Sequence, residues 1–295
     1  MDKVCYVVSE EPFLVKEKIA EIKKKFVGRY TEMNFKAIKS SQLEEEMETY
    51  PFFAEKKMLL LDDLKDNEET AKLLENVPDH CHILIVGKLD KRKKTYKTIK
   101  KYGKVLELKP YDERQMTDWV MKIGREMGVE VPKDAAERVV EICGISDMHF
   151  IYNEMVKVAS MKAKVTVELI DRVVQKTPEY NSFVLTDALT KKDKRQAYKV
   201  IQVLAEQNEY LPLVLSMVNR NFAVLRMMKT MKEQDIKEAG VHPYTMKLLK
   251  PHLSKYTIGQ LDELMFLCQK IDYEMKNGMN HRTALEKLVG AIECK

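Results

Sequence analysis

The sequence is poor in the residues that mark secreted, metal-bound or membrane proteins. Its five cysteines, Cys5, Cys81, Cys143, Cys268 and Cys294, are odd in number, widely spaced and without a C-x-x-C pair, which excludes a disulfide framework and offers no zinc cluster. Such usage suits the reducing cytoplasm, the expected location. Only 10 glycines and 9 prolines occur, and no low-complexity linker or internal repeat is found. No run approaches the length of a membrane span, and Met1-Asp2-Lys3-Val4-Cys5-Tyr6 lacks the apolar core of an export signal. Charge of one sign is missing too. The 51 Lys and Arg are nearly matched by 46 Asp and Glu, and a net charge of +5 does not by itself define a nucleic-acid protein, because positive charge must be gathered on one face to hold phosphates. His242, His252 and His281 stand apart, with no His/Glu pair at metal-ligand spacing, so no metal and no cofactor is expected.

What is present is ordinary globular patterning, in a chain long enough for two or three domains with cores of their own. Val4 to Val8 is a β-branched and aromatic run, and Ser9-Glu10-Glu11-Pro12 then opens a helix with Val15, Ile19, Ile22 and Phe26 at helical spacing. A second strand is predicted over Phe35 to Ile38, followed by a helix from Ser40 with Leu43, Met47 and Tyr50 on one face. Met58 to Leu61 is a short apolar run ended by two acids, the pattern of a strand covered on both faces. A helix over Asn67 to Asn76, a strand over His82 to Val86, a helix carrying Tyr96 and Ile99, and a strand over Lys104 to Leu108 complete this part. Strands alternating with helices of this length predict an α/β domain with a doubly wound parallel sheet.

Such a sheet commonly binds a nucleotide at the turn after its first strand. A phosphate loop needs glycines so that backbone N–H groups can wrap the phosphates, followed by a Lys and a Ser or Thr. Here the turn is Val8-Ser9-Glu10-Glu11-Pro12-Phe13. It has no glycine, its proline has no N–H, and two carboxylates stand where a triphosphate would need cradling. Gly87-Lys88-Leu89 and Gly103-Lys104-Val105 both lack the following hydroxyl. The site is read as dead, and Asp62-Asp63 as strand-end and cap acids rather than metal ligands.

Two further stretches stand out. Pro51-Phe52-Phe53 puts adjacent aromatics at a corner before the Met58 to Leu61 strand. Adjacent side chains do not share one direction on either a helix or a strand, so at least one ring is expected to be exposed. It either folds back under the sheet edge or serves as an anchor for a partner's pocket. Lys88 to Lys104 holds nine Lys or Arg and a single acid. Helical spacing turns Tyr96 and Ile99 inward and leaves Lys91, Arg92, Lys93, Lys94 and Lys97 as a solvated face or a set of DNA-phosphate contacts.

After Pro110-Tyr111-Asp112 the period becomes 3.6 and stays there. Met116, Trp119, Val120, Ile123 and Met127 form one stripe, and the only Trp belongs to it as a core residue. A helix opened by Pro132, a break at Cys143-Gly144, a helix over Phe150 to Met161 with Asn153, Glu154 and Lys157 on its polar side, and a short helix after Thr166 make a small module ending near Thr177-Pro178. Longer helices follow over Phe183 to Leu189, Asp193 to Glu206, Leu211 to Lys232, Pro243 to Leu249, Thr257 to Lys276 and His281 to Ile292, the make-up of a packing or oligomerising block.

The degenerate turn of Tyr6 to Leu14, the block Pro51-Phe52-Phe53-Ala54-Glu55-Lys56-Lys57-Met58-Leu59-Leu60-Leu61, and Asn153-Glu154-x-x-Lys157 are the first carriers of a resemblance. Asn181-Ser182-Phe183-x-Leu185-Thr186-Asp187-Ala188, His242-Pro243-Tyr244 and Asp272-x-x-x-Lys276-x-Gly278 continue it. In this order and spacing they resemble the delta-subunit family of the bacterial DNA polymerase III clamp loader. The resemblance implies an AAA+-like clamp-binding domain without Walker A (1–110), a helical lid (111–178) and a helical collar that joins loader subunits (179–295). It implies that Phe52 and Phe53, with Pro51, enter the pocket of the ring-shaped sliding clamp and help to open it for loading onto primed DNA. The partners so implied are the beta clamp, the gamma/tau and delta-prime subunits, and primed DNA, with no membrane. The chain would act within the DNA polymerase III holoenzyme, a nucleotidyltransferase, without a catalytic residue or ATP hydrolysis of its own. The sister delta-prime subunit carries a Ser-Arg-Cys motif and a cysteine zinc cluster that this sequence lacks. An AAA+ ATPase with an unusual phosphate site is the alternative reading.

Overall fold

A computed structural model describes residues 2–26, 30–65, 67–206 and 209–291. The chain divides into two compact units, 1–111 and 112–295.

The first unit is a five-stranded, all-parallel sheet in the order β2-β3-β4-β1-β5. Its strands are β1 (Val4–Ser9), β2 (Tyr30–Lys36), β3 (Lys56–Asp62), β4 (Cys81–Val86) and β5 (Lys104–Leu108). Between them run α1 (Pro12–Phe26), α2 (Ser40–Glu48), α3 (Glu68–Glu75) and α4 (Lys94–Tyr102). The period of two along each strand sorts its side chains onto opposite faces. Val4, Tyr6, Leu59, Leu61, Ile83 and Ile85 pack with Leu43, Met47, Leu74 and Ile99 of α2, α3 and α4. Cys5, Val7, Met58, Leu84 and Val86 pack with Val15, Ile19, Ile22 and Phe26 of α1. With both faces covered, β3 and β4 are apolar almost throughout, as parallel strands require.

β2 begins at Tyr30, five residues before the sequence-based expectation, and ends at Lys36 because Ala37 takes a positive φ of 53°. It pairs with β3 alone, so its alternation of half-buried Met33 and Phe35 with exposed Asn34 and Lys36 is that of an edge strand.

The second unit is helical throughout. It contains α5 (Glu113–Glu126), α6 (Lys133–Cys143), α7 (Met148–Ser160), α8 (Val167–Val173), α9 (Pro178–Thr190), α10 (Lys194–Glu206), α11 (Leu211–Thr230), α12 (Glu233–Glu238), α13 (Pro243–Leu249), a 3-10 turn (Lys250–Lys255), α14 (Ile258–Lys276) and α15 (His281–Ala291). Side-chain caps start many of them: Asp112 accepts from Gln115 N–H, Thr177 from Tyr180 N–H and Thr257 from Gln260 N–H. One core under α9, α10, α11, α14 and α15 holds Leu185, Ile201, Phe222, Leu261, Ile271 and Leu285. Ile292 and Cys294 lie outside the described residues; the four other cysteines are free and buried.

Candidate functional site

The segment between α2 and β3 sets two large apolar rings in water. Phe52 is 92% and Phe53 99% exposed. Leaving a Phe side chain in water forgoes about 1.5–3 kcal/mol of burial, so neither ring belongs to this fold's own core. What holds the segment lies on either side of it. Helix α2 stops at Glu48, where Thr49 is extended (φ −65°, ψ 125°) and Tyr50 precedes a proline, a position biased away from helix. This takes Tyr50 off the helical stripe that the sequence spacing assigned to it. Its ring stacks instead on His80, with centroids 3.9 Å apart and planes 22° apart, while 71% of the residue stays open to solvent. His80 is itself buried, donating through Nε2 to the Met47 carbonyl at 3.0 Å and accepting the Lys57 N–H at its own carbonyl, 2.8 Å away.

On the β3 side, Lys57 is only 2% exposed. Its ammonium donates to the carbonyls of Glu46 and Thr49, groups at the end of α2 that the helix itself leaves without partners. Burial holds the Lys57 pKa below its ordinary value, against the opposing pull of Cys81 and Glu46. Burial likewise pushes the neighbouring Cys81 thiol up to about 11. The 51–55 turn thus springs from two fixed ends. The arrangement leaves an apolar pair open to solvent.

The turn after β1 has the opposite character. Ser9 Oγ accepts the Glu11 N–H at 3.1 Å and Glu11 Oε1 accepts the Phe13 N–H at 3.0 Å. The donors that would face a phosphate are occupied by the turn's own side chains, and Pro12 contributes none. Asp63 sits at φ 63° with its N–H on the Val86 carbonyl, a strand-end turn.

In the basic segment, Thr95, Thr98 and Ile99 face inward, and Tyr96 meets Tyr6 edge-on at 6.2 Å. Lys91, Arg92, Lys93, Lys94 and Lys97 are exposed. Local acids meet several of these: Lys91 pairs with Glu107 at 2.7 Å, and Arg92 grips Asp90 through Nε and Nη2, bringing the Asp90 carboxyl down to about 2. Lys94 stands 3.9 Å from Glu68.

Several motif residues of the helical unit are buried or bonded within it. Glu154, assigned by spacing to a polar face, is 3% exposed; it accepts the Gln175 N–H at 2.8 Å and pairs with Lys157 at 2.6 Å, tying α7 to the chain after α8. Asn181, Ser182 and Thr186 are buried, and Asn221 of α11 donates to Thr186 Oγ1 at 3.1 Å. His242 caps α13 by accepting the Tyr244 N–H, His252 lies 3.9 Å from Asp187, and His281 meets Tyr210 edge-on. A cleft of about 840 Å³ between α5, α6 and α13 is lined by charges, several of them already paired, as in Lys247 with Glu113 and Arg138 with Glu141. Among the described residues no His, Cys, Asp or Glu cluster is suited to a metal, and no helix is long and apolar enough to cross a membrane.

The first unit is therefore a doubly wound parallel α/β protein with an exposed aromatic turn, followed by an all-helical unit. Comparison with known proteins narrows this class. Residues 6–109 match the family model "DNA polymerase III, delta subunit", and residues 179–291 match "DNA polymerase III delta subunit, C-terminal domain". The chain belongs to the DNA polymerase III delta-subunit family. It is 21% identical to the DNA polymerase III subunit delta of Bacillus subtilis, over 97% of this chain and 91% of that one. It is 22% identical to a probable DNA polymerase III subunit delta of Aquifex aeolicus, over 92% and 85%. Among solved structures, the Bacillus subtilis DNA clamp loader delta protein superposes with a TM-score of 0.71 at 18% identity, covering 98% of this chain and 95% of that one, a likeness of fold.

Proposed function

We propose that this chain is the clamp-opening subunit of a DNA polymerase III clamp loader, and that it seats Phe52 and Phe53, flanked by Pro51, in an apolar pocket of the sliding clamp. The observation that carries the reading is the near-complete exposure of both rings on a turn whose ends are fixed. Apolar anchors of this kind dominate partner binding when they fill a pocket and lose their water. Family membership supplies the setting, and the self-capped turn after β1 supports a role without ATP hydrolysis. In this reading 1–110 meets the clamp, 111–178 is a lid, and 179–295 is a collar that joins the gamma/tau and delta-prime subunits. The C-terminal family match beginning at residue 179 favours that last boundary. Contact of Lys91, Arg92, Lys93, Lys94 and Lys97 with primed DNA belongs to the same proposal, and Lys91, Arg92 and Lys94 also hold ion pairs with Glu107, Asp90 and Glu68.

The test is binding of the full chain to its cognate sliding clamp without nucleotide, by surface plasmon resonance. Phe52→Ala with Phe53→Ala is expected to weaken binding by about tenfold or more, with an unchanged circular dichroism spectrum. Full binding by the double variant refutes the assignment.

A further inference from the structure

We propose that Tyr50 and His80 are positioning residues that keep the two Phe rings standing off the surface, an inference that rests on the clamp-binding reading above. An unrestrained turn carrying two exposed Phe would gain by folding one ring onto the nearest apolar or aromatic surface. Beside this turn lies the His80 ring, just ahead of the inner strand β4 and held by its bond to the Met47 carbonyl. Tyr50 already lies on it at stacking distance, in nearly parallel planes. The stack does two things at once. It occupies the resting place that Phe52 or Phe53 would otherwise take, and it fixes the residue immediately before Pro51, whose ring restricts the next backbone torsion. The Lys57 ammonium fixes the carbonyl of Thr49, one residue earlier. Three consecutive residues, Thr49 to Pro51, are thereby restrained by contacts that none of the Phe atoms supplies. An anchor ordered before it meets its pocket loses less entropy on binding.

His80 separates positioning from direct contact, because it is buried and cannot itself touch a partner, whereas Tyr50 is open on one face. The experiment measures clamp binding by the full chain carrying Tyr50→Phe, Tyr50→Ala or His80→Ala, alone and combined with Phe52→Ala/Phe53→Ala. Chymotryptic cleavage after Phe52 and Phe53 in the free protein is followed in parallel. Tyr50→Phe, which keeps the stacked ring, is expected to bind as wild type. Tyr50→Ala and His80→Ala are each expected to weaken binding by about threefold to tenfold and to speed cleavage. Neither is expected to weaken binding further once the Phe pair is gone, a non-additivity that general loss of stability would not produce. Loss with Tyr50→Ala but not His80→Ala makes Tyr50 a contact residue and overturns the proposal. So does unchanged binding and cleavage in both variants while the Phe double variant is impaired. If the Phe double variant binds fully, the clamp-binding reading falls and this inference falls with it.

Discussion

A lysine inside a parallel strand is tolerable only where its ammonium finds acceptors, and Lys57 finds two at the end of α2. Replacing it by Met keeps the apolar stem but leaves the Glu46 and Thr49 carbonyls without that donor. Lys57→Met is therefore expected to lower stability by about 1–3 kcal/mol in urea denaturation. The loss should depend on pH in a definite direction. Burial places the folded-state pKa below the ordinary 10.5, so between the two values the unfolded chain holds a proton that the folded chain has shed. The contribution of Lys57 to stability then rises with pH across that window and is constant below it. The gap between wild type and the Met variant should widen as pH rises toward 10.5; a gap that narrows contradicts the argument. Sequence reasoning expected at least one exposed ring, because two adjacent aromatics beside a proline fit no single face, and left open a turn folded back under the sheet edge; the structure exposes both rings. The same reasoning missed Lys57, which sits in a run of lysines that looks solvated, and it misplaced Tyr50 and Glu154. Their partners, His80 and the Gln175 N–H, are distant along the chain, and spacing records only local direction.

At the scale of elements, periodicity was a good guide wherever one rule governed the whole segment. The apolar runs of β1, β3 and β4 and the α5 stripe of Met116, Trp119, Val120 and Ile123 are all where the pattern puts them. The edge strand β2 was one exception, because an alternating polar strand with one neighbour gives a weak signal, and α9 was another, opening at Pro178 five residues before the expected start at Phe183. Gly103, which in the sequence invites comparison with a phosphate loop, has a packing role instead. It joins α4 to β5 against β1, and a Cβ there would overlap the Val4 carbonyl oxygen and stand 2.8 Å from Val4 Cβ. Since the obstacle is backbone, Gly103→Ala is expected to destabilise by about 1–3 kcal/mol. Gly259→Ala, in open space on α14, should be neutral or gain up to about 1 kcal/mol in the same thermal melts. Equal effects at the two sites would show that the close approach is not what fixes Gly103.

For the molecule as a whole, alternating strands and helices announced the parallel sheet, but not its order. Nothing local tells β1 to insert between β4 and β5 rather than at an edge; that depends on which apolar faces the crossing helices can cover. The expectation that nucleotide plays no part in this chain belongs to this scale too. Calorimetric titration with magnesium and ATP is expected to show no saturable site, in the wild type and equally in Glu11→Gly. The glycine would remove the carboxylate that accepts the Phe13 N–H, but Pro12 still lacks a donor and no Lys with Ser or Thr follows. A saturable micromolar site in either protein refutes this.

The standing Phe pair also has a bearing on the chain as a solute. Two bare rings adhere to any greasy surface that drifts past, whether a misfolded neighbour, a detergent micelle or a plastic wall, and stiffness in the turn makes them no less sticky. Their protection is smallness: at about 150–250 Å² a ring, the pair stays within the range of the largest apolar patch that an ordinary soluble monomer carries. Each further apolar residue added beside the pair would enlarge that patch at the expense of colloidal stability.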